Sequence, residues 1–135
     1  GQSRSLSEKI NQAYASDSQL MFFPAGMVSR KNNGVVADLE WKKNFVTKSI
    51  EYKRDIVPIR IDAKNSKLFY FIAKLRAKLG IKFNIEMALL VRELRKQMHK
   101  KIKITIGEPI PYTSLDDSKN ATQWAQDIRE KVYKL

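Results

Sequence analysis

The spacing of apolar residues changes twice in the first half of the chain, and this constrains the fold more than any other feature. The run Leu20–Phe23 is continuous and ends at Pro24 and Gly26, as in a buried strand that leads into a loop. A helical stripe follows, formed by Trp41, Phe45, Val46 and Ile50. Ile56–Ile61 then indicates a second strand, although Pro58 lacks an amide donor. This order predicts a right-handed parallel crossover in an α/β fold, with a small, mainly parallel or mixed sheet flanked by helices.

Four further helices are predicted from capping signals and apolar stripes. The first begins at the capping box Ser5-Leu6-Ser7-Glu8. Two stripes later in the chain consist of Leu68, Ile72, Leu75 and Leu79, ended by Gly80, and of Met87, Leu90, Val91, Leu94 and Met98. The last helix is predicted to start near Asp117 or Ser118 and to bury Ala121, Trp124, Ala125, Ile128 and Val132.

A turn and a third strand complete the pattern. Asn32-Asn33-Gly34 has the composition of a turn. Ile102, Ile104 and Ile106 alternate with polar residues, which is the period of a half-buried strand, and Gly107 and Pro109 close it. His99 is expected to be a charge at a helix end, and Met87 and Met98 to fill the core.

Length and composition limit the class of protein. A chain of 135 residues fits one domain, so we expect residues 1–135 to form a single domain. The absence of cysteine excludes disulfides and thiolate sites within the chain and favours a reducing compartment. No cluster of metal-ligating residues is present, so no metal site is expected. No apolar run approaches the roughly 18–20 residues that span a bilayer, so we expect any membrane contact to be peripheral.

The charge is concentrated in one stretch. The chain has 26 Lys and Arg against 14 Asp and Glu, a net charge of +12. Twelve basic and two acidic residues lie between residues 64 and 103, so this stretch carries +10 of that charge. Such a field attracts anionic partners, either an anionic membrane surface or nucleic acid. A non-enzymatic domain that binds nucleic acid or an anionic membrane is therefore an alternative to an enzyme, although no nucleic-acid motif is present.

The loop after the first predicted strand carries a family resemblance. Phe22-Phe23-Pro24-Ala25-Gly26-Met27-Val28-Ser29-Arg30-Lys31 resembles the Phe-Pro-Glu-Gly-Thr-Arg-Ser block of the 1-acylglycerol-3-phosphate acyltransferase family. Three blocks follow in the family's order, namely Trp41-Lys42-Lys43, Ile56-Val57-Pro58-Ile59 and Ile104-Thr105-Ile106-Gly107-Glu108-Pro109-Ile110-Pro111. Together they cover most of residues 18–112. The match is nearest to a bacterial subgroup labelled hemolysins, in which Ala replaces the Glu of the loop.

The resemblance implies an enzyme of phospholipid or amino-acid-lipid synthesis on the cytoplasmic face of the inner membrane. Such enzymes move a fatty acyl group from acyl-coenzyme A or acyl carrier protein to a lysolipid hydroxyl, with no other cofactor. The family's chemistry needs a His with an Asp five positions later, and this pair precedes the loop. The only histidine here, His99, has Ile104 in that position. The chain is therefore expected to be the C-terminal part of an acyltransferase domain, without a catalytic residue and inactive alone.

By the same resemblance, the loop binds the head group of the acceptor. Its candidate substrate-binding residues are Phe23, Pro24, Ala25, Gly26, Ser29, Arg30 and Lys31. Pro24 and Gly26 would fix a tight backbone, Ser29 would donate a hydrogen bond, and Arg30 would offer a planar fork to phosphate or carboxylate. Ala25 and Val28 depart from the family's Glu and Arg, which leaves both glycerol-phosphate and amino-acid lipids open as acceptors.

Two surfaces remain unassigned by this interpretation. Leu68-Phe69-Tyr70-Phe71-Ile72 is apolar all round a helix, so Phe69 or Phe71 is expected outside the leucine stripe. Beside so many lysines, this suits either insertion into a membrane interface or contact with the missing half of the domain. An unpaired sheet edge would also permit a homodimer of the fragment.

Overall fold

A computed structural model describes residues 2–32, 34–63, 65–80, 89–98 and 100–135. Five α-helices lie within them: α1 (Gln2–Ala15), α2 (Asn44–Glu51), α3 (Lys67–Lys78), α4 (Leu90–Gln97) and α5 (Ala121–Lys134). The strands are β1 (Arg30–Asn32), β2 (Val35–Ala37), β3 (Ile59–Asp62) and β4 (Lys103–Ile106), and a short 3-10 helix spans Tyr112–Ser114. Met87 and His99 lie outside the described residues, and so do Lys64, Lys82 and Glu86 of the basic stretch.

Both strand pairs in the described ranges are antiparallel. β1 and β2 form a hairpin in which Arg30 lies opposite Ala37, and Gly34 in its turn has a φ of 86°, which only glycine adopts easily. β3 pairs with β4, with Ile59 opposite Ile106. The α/β composition with flanking helices is confirmed, but the predicted parallel crossover is wrong. The partner of β3 comes from a segment more than forty residues later, and local spacing does not encode that choice.

The Leu20–Phe23 run is not a strand in this structure. Its residues have no regular secondary structure, and Met21 and Phe23 are 72% and 70% exposed. A buried strand needs a neighbouring strand for its amides and carbonyls. The described strands provide none beside this run, so the prediction is wrong for this chain.

The core lies between α2 and α5. Val46 of α2 and Ala125 and Ile128 of α5 are almost completely buried there, and Trp41 and Phe45 meet edge to face with ring centroids 6.0 Å apart. The stripe predicted for the last helix is therefore confirmed. The helix starts later than predicted, at Ala121, because Asn120 caps it and forms a reciprocal capping box with Gln123.

The segment before β3 joins the core to the β3–β4 pair. Ile56 and Ile110 exchange both backbone hydrogen bonds, at 2.9 and 2.8 Å, and the amide of Gly107 donates to the carbonyl of Pro58 at 2.9 Å. Pro58 has no amide N–H, and at this position only its carbonyl takes part in the described pairing.

The C-terminal end of helix α1 is attached in part through the side chain of Arg54. The guanidinium of Arg54 donates to the carbonyls of Tyr14, Ser16 and Ser18 at 3.0, 2.6 and 2.6 Å. These are carbonyls at and just beyond the end of α1, where no intrahelical donor remains. The predicted start at the Ser5 capping box is wrong, since the helix already begins at Gln2.

Helices α3 and α4 bury different faces from those predicted. Phe69, Tyr70 and Ala73 are buried, whereas the predicted leucine stripe is exposed, with Leu79 at 63%. The expectation that Phe69 or Phe71 lies outside is confirmed by Phe71, which is exposed, while Phe69 is fully buried. On α4 the buried residue is Glu93, while Val91, Leu94 and Met98 of the predicted stripe are exposed.

The alternation of the last strand is confirmed, but its burial is not. β4 covers Lys103–Ile106, within the predicted range. Ile104 and Ile106 are 60% and 68% exposed, so the apolar face of this strand lies uncovered by the described part of the chain.

Candidate functional site

Two backbone hydrogen bonds hold the loop that follows the Leu20–Phe23 run. The amide of Gly26 donates to the carbonyl of Phe23 at 3.0 Å, which closes a turn, and Gly26 has a φ of 65°. The amide of Lys42 donates to the carbonyl of Pro24 at 3.1 Å. A side chain at Gly26 would be strained in this left-handed conformation. The loop backbone is thus tightly turned and fixed to the start of the α2 region.

The seven predicted site residues divide into four groups. Ala25 is 8% exposed and belongs to the core, so it supports the loop from beneath. Phe23 is exposed, and Pro24 is half-buried. Gly26 lies exposed at the turn. The others, Ser29, Arg30 and Lys31, lie where the loop enters the β1–β2 hairpin.

Ser29 is hydrogen-bonded within the protein. Its hydroxyl donates to Oδ1 of Asp38 at 2.5 Å, and the indole of Trp41 donates to Oδ2 of the same carboxylate at 3.3 Å. A serine hydroxyl that donates to a carboxylate keeps its lone pairs as acceptors. Ser29 can therefore accept a hydrogen bond from a bound molecule, which reverses the donor role expected from the sequence.

Asp38 connects this loop to helix α5. Its backbone amide donates to the hydroxyl of Tyr133 at 2.8 Å, and its carbonyl accepts from Nη2 of Arg129 at 2.9 Å. The guanidinium of Arg129 also lies 5.1 Å from the centre of the Tyr133 ring, within the range of a cation–π interaction. Sequence reasoning missed Asp38, Arg129 and Tyr133. The spacing of Arg129 and Tyr133 on one helical face was the available signal, but nothing local linked that face to residue 38.

Three basic side chains lie on or near the loop. Arg30 is half-buried at the start of β1, Lys31 is exposed in the same strand, and β1 packs against α3. Lys42 reaches the turn itself, since its ammonium would lie 3.5 Å from a Cβ built on Gly26. The resemblance noted Lys42 as part of an aromatic-Lys-Lys helix, and the structure places its charge against the loop.

An open groove borders the loop. It is lined by the Leu20–Pro24 segment, by residues 54–63 and by the buried face of α5, and it also reaches Ser29 and Asp38. Its volume of about 1310 Å³ exceeds the ~300–1,000 Å³ of a typical small-molecule pocket. Several apolar side chains on it are well exposed, among them Phe23 and Ile106. The groove therefore suits a large apolar or amphiphilic occupant.

Two structural features bear on other classes of site. In the ranges that the structure describes, no three His, Asp or Glu side chains are grouped so as to hold a metal ion. None of the helices within those ranges combines the length and the apolar character needed to cross a membrane.

A family model described as acyltransferase matches residues 1–135. The chain belongs to this acyltransferase family. Two curated relatives are named lyso-glycine lipid O-acyltransferase. The one from Phocaeicola vulgatus is 48% identical over 134 residues, which cover 99% of this chain and 48% of the relative. The one from Bacteroides thetaiotaomicron is 46% identical over 134 residues, which cover 99% of this chain and 49% of the relative.

These relatives confirm the acyltransferase resemblance that the loop and the three downstream blocks predicted. The chain spans about half the length of the curated relatives it matches. No solved structure matches the chain.

Proposed function

We propose that the protein containing this chain transfers a fatty acyl group from acyl-coenzyme A or acyl carrier protein to the hydroxyl of a lyso-glycine lipid. The observation that carries this proposal is the identity of 46–48% across 99% of the chain with two relatives named for that reaction. The departures at Ala25 and Val28 from the glycerol-phosphate type of loop favour the same acceptor. An amino-acid head group needs fewer anion ligands than a phosphate does.

We further propose that this chain is the C-terminal portion of the enzyme and lacks the catalytic base. The chain contains a single histidine, His99, and Ile104 stands where the orienting aspartate would be. The base would then come from residues outside the chain, and residues 1–135 alone would be inactive, because losing a general base costs about a hundred- to ten-thousand-fold. The apolar groove beside the loop is where those residues would pack and bring the base to the acceptor.

The loop supplies the chemistry that a glycine head group requires. A glycine whose amine is acylated presents a carboxylate and an amide N–H. Arg30 and Lys42 place positive charge at the loop for the carboxylate, and the lone pairs of Ser29 suit an N–H donor. Asp38 positions Ser29 and does not contact the acceptor in this proposal.

Substitution of the two cations in the complete enzyme tests this role. We expect Arg30→Ala, Arg30→Lys and Lys42→Gln each to lower turnover of the lyso-glycine lipid by about tenfold to a hundredfold, since a hydrogen bond to a charged group is worth about 1.5–3 kcal/mol. Arg30→Lys should fail because an ammonium lacks the planar fork. Lys43→Gln is the matched control, because Lys43 borders a separate groove against α1.

The measurements are kcat and KM for the lyso-glycine lipid, with a thermal melt of each variant. A loss of turnover without a loss of stability supports binding through the loop. Normal turnover in Arg30→Ala would remove Arg30 from the site, and normal turnover in both Arg30→Ala and Lys42→Gln would overturn the head-group role of the loop.

A further inference from the structure

Helices α3 and α4 expose apolar stripes that the core does not use. On α3 the spacing of Leu68, Phe71, Leu75 and Leu79 places them on one face, and on α4 the spacing of Val91, Leu94 and Met98 does the same. Phe71, Leu79, Val91, Leu94 and Met98 are between 62% and 70% exposed. We call these seven residues the α3–α4 surface. Large exposed apolar side chains that cluster on a helix face mark a candidate interaction site.

The two helices are fixed so that these stripes stay outside. Phe69, Tyr70 and Ala73 bury the other face of α3. The carboxylate of Glu93 accepts from the amide and the hydroxyl of Ser66, at 2.5 and 2.7 Å, and is 3% exposed. This pair of bonds ties α4 to the start of α3.

The charges around the surface have a single sign. Lys67, Lys74 and Lys78 are exposed and share a face of α3 next to Phe71. Arg92, Arg95 and Lys96 are exposed on α4. Within the described residues of α3 and α4, the one acidic side chain is Glu93, and it is buried against Ser66. The surface therefore presents apolar side chains beside a net positive charge.

We propose that the α3–α4 surface inserts into the interfacial region of a bilayer that contains anionic lipid. Helices that lie in a membrane interface have this arrangement, with large apolar side chains on one face and Lys or Arg beside them. A protein partner would bury the same apolar residues but would need its own acidic groups to offset the charge, whereas anionic lipid head groups supply them across the whole area. The stripes thus assign a peripheral membrane contact to α3 and α4.

This membrane contact would support the proposed acyl transfer. The inference rests in part on that proposed function. A lysolipid acceptor is an amphiphile and resides in the bilayer, so an enzyme held at the interface meets it directly. β1 of the loop region packs against α3, so the proposed head-group loop lies next to the element that contacts the membrane.

Binding of the complete protein to vesicles tests the proposal. The probes are phosphatidylcholine vesicles with and without phosphatidylglycerol, in a flotation assay at increasing salt. We expect Lys67→Gln, Lys74→Gln and Lys78→Gln combined to weaken binding to the anionic vesicles by about a hundredfold, since each lysine near the surface is worth about fivefold. The matched control combines Lys9→Gln, Lys131→Gln and Lys134→Gln, which removes the same charge from exposed positions on α1 and α5 and should bind as the unmodified protein does.

The apolar part is tested separately with Phe71→Ser combined with Leu94→Ser. This variant should lose binding that persists at high salt, because salt screens charge but not apolar insertion. The matched control is Val35→Ser, at a position 66% exposed in the β1–β2 hairpin. If either α3–α4 variant binds anionic vesicles as tightly as its control, this surface does not contact the membrane. Tight, salt-sensitive binding to duplex DNA without a preference for vesicles would overturn the proposal in favour of a nucleic-acid partner.

An activity assay separates this proposal from the proposed function. The Phe71→Ser and Leu94→Ser variant should lose transfer to a lyso-glycine lipid embedded in vesicles but retain transfer to the same lipid in detergent micelles. Vesicle binding that depends on the surface, with no transfer in either system, would contradict the acyl-transfer proposal and leave the membrane contact standing. Equal loss in vesicles and micelles would contradict a role of the surface in membrane contact.

Discussion

Helices α4 and α5 carry apolar stripes of the same spacing, yet the two stripes have opposite surroundings. In α5, Ile128 is 2% exposed because α2 packs against it, whereas Leu94 in α4 is 67% exposed. The spacing reports that a helix has an apolar face, and it does not report what covers that face. An exposed apolar stripe therefore indicates a surface that another molecule could cover, and the helix prediction itself is correct.

The source of rigidity also differs between these regions. The α2–α5 region is held by interlocking apolar side chains, among them Val46, which is fully buried. In the α3–α4 region the described contacts include a small apolar cluster around Phe69 and a charged hydrogen-bonded pair, Ser66 and Glu93. The first kind of contact depends little on pH, and the second depends on the charge of one carboxylate.

The largest expected effect separates two phenylalanines of the same helix. Phe69→Ala should lower the free energy of unfolding by about 3–5 kcal/mol, because Phe69 is fully buried, whereas Phe71→Ala should change it by no more than about 0.5 kcal/mol. Urea unfolding of both variants is the measurement. Equal effects would mean that α3 buries both of its faces and that the contrast with α5 is wrong.

A smaller effect is expected at Glu93, and it should depend on pH. Burial raises the pKa of Glu93, but the hydrogen bonds from Ser66 and the charges of Lys96 and Arg92 together outweigh it, so the pKa lies below the ordinary value of 4.5. A lowered pKa in the folded state means that the carboxylate stabilises the fold fully above pH 4.5 and loses this contribution as the pH falls through the folded value. Glu93→Gln should cost about 1.5–3 kcal/mol at pH 7.

The check is the difference in unfolding free energy between the unmodified protein and Glu93→Gln, measured at pH 7 and in stronger acid. The difference should shrink as the pH falls below 4.5. A matched variant, Ser66→Ala, should remove most of the effect of Glu93→Gln when the two are combined. A difference that stays constant with pH would show that the contact does not depend on the charge.

The smallest effect is expected at the cap of α5. Asn120→Ala should cost about 1 kcal/mol, because the side chain of Asn120 accepts a hydrogen bond from the amide of Gln123 at 2.9 Å. Asn120→Ser keeps a capping oxygen and should cost less. Thermal melts of both variants measure these two losses of stability. A loss for Asn120→Ala much larger than 1 kcal/mol would show that α5 depends on its cap more than on its packing against α2.

Local patterns in the sequence predicted the parts of the fold that are local. Helices α2, α3 and α5, the hairpin turn at Gly34 and strand β4 all occur near their predicted positions. The parallel crossover failed because strand pairing joins distant segments, here β3 and β4. The buried strand at Leu20–Phe23 failed for a related reason, since an apolar run becomes a strand only beside a partner.

In the candidate site, too, local contacts could be predicted from the sequence and distant contacts could not. The loop was proposed as a site because its residues are adjacent in sequence and resemble a family block. Asp38 was missed because its partners Arg129 and Tyr133 are more than ninety residues away, and only the packing of α5 brings them to it. The hydrogen bond from Ser29 was missed for the same reason, since its acceptor Asp38 is set by the fold of the hairpin.

The hydrogen bond from the amide of Lys42 to the carbonyl of Pro24 joins the loop to the start of the α2 region through main-chain atoms alone. Any residue except proline at position 42 can make it, and any residue at position 24 can accept it. This hydrogen bond therefore does not depend on the side chains at positions 24 and 42. In the proposed head-group role of the loop, substitutions at Val28 or Arg30 would change the groups offered to the acceptor without removing this bond, which would make these two positions suited to the redesign of acceptor preference.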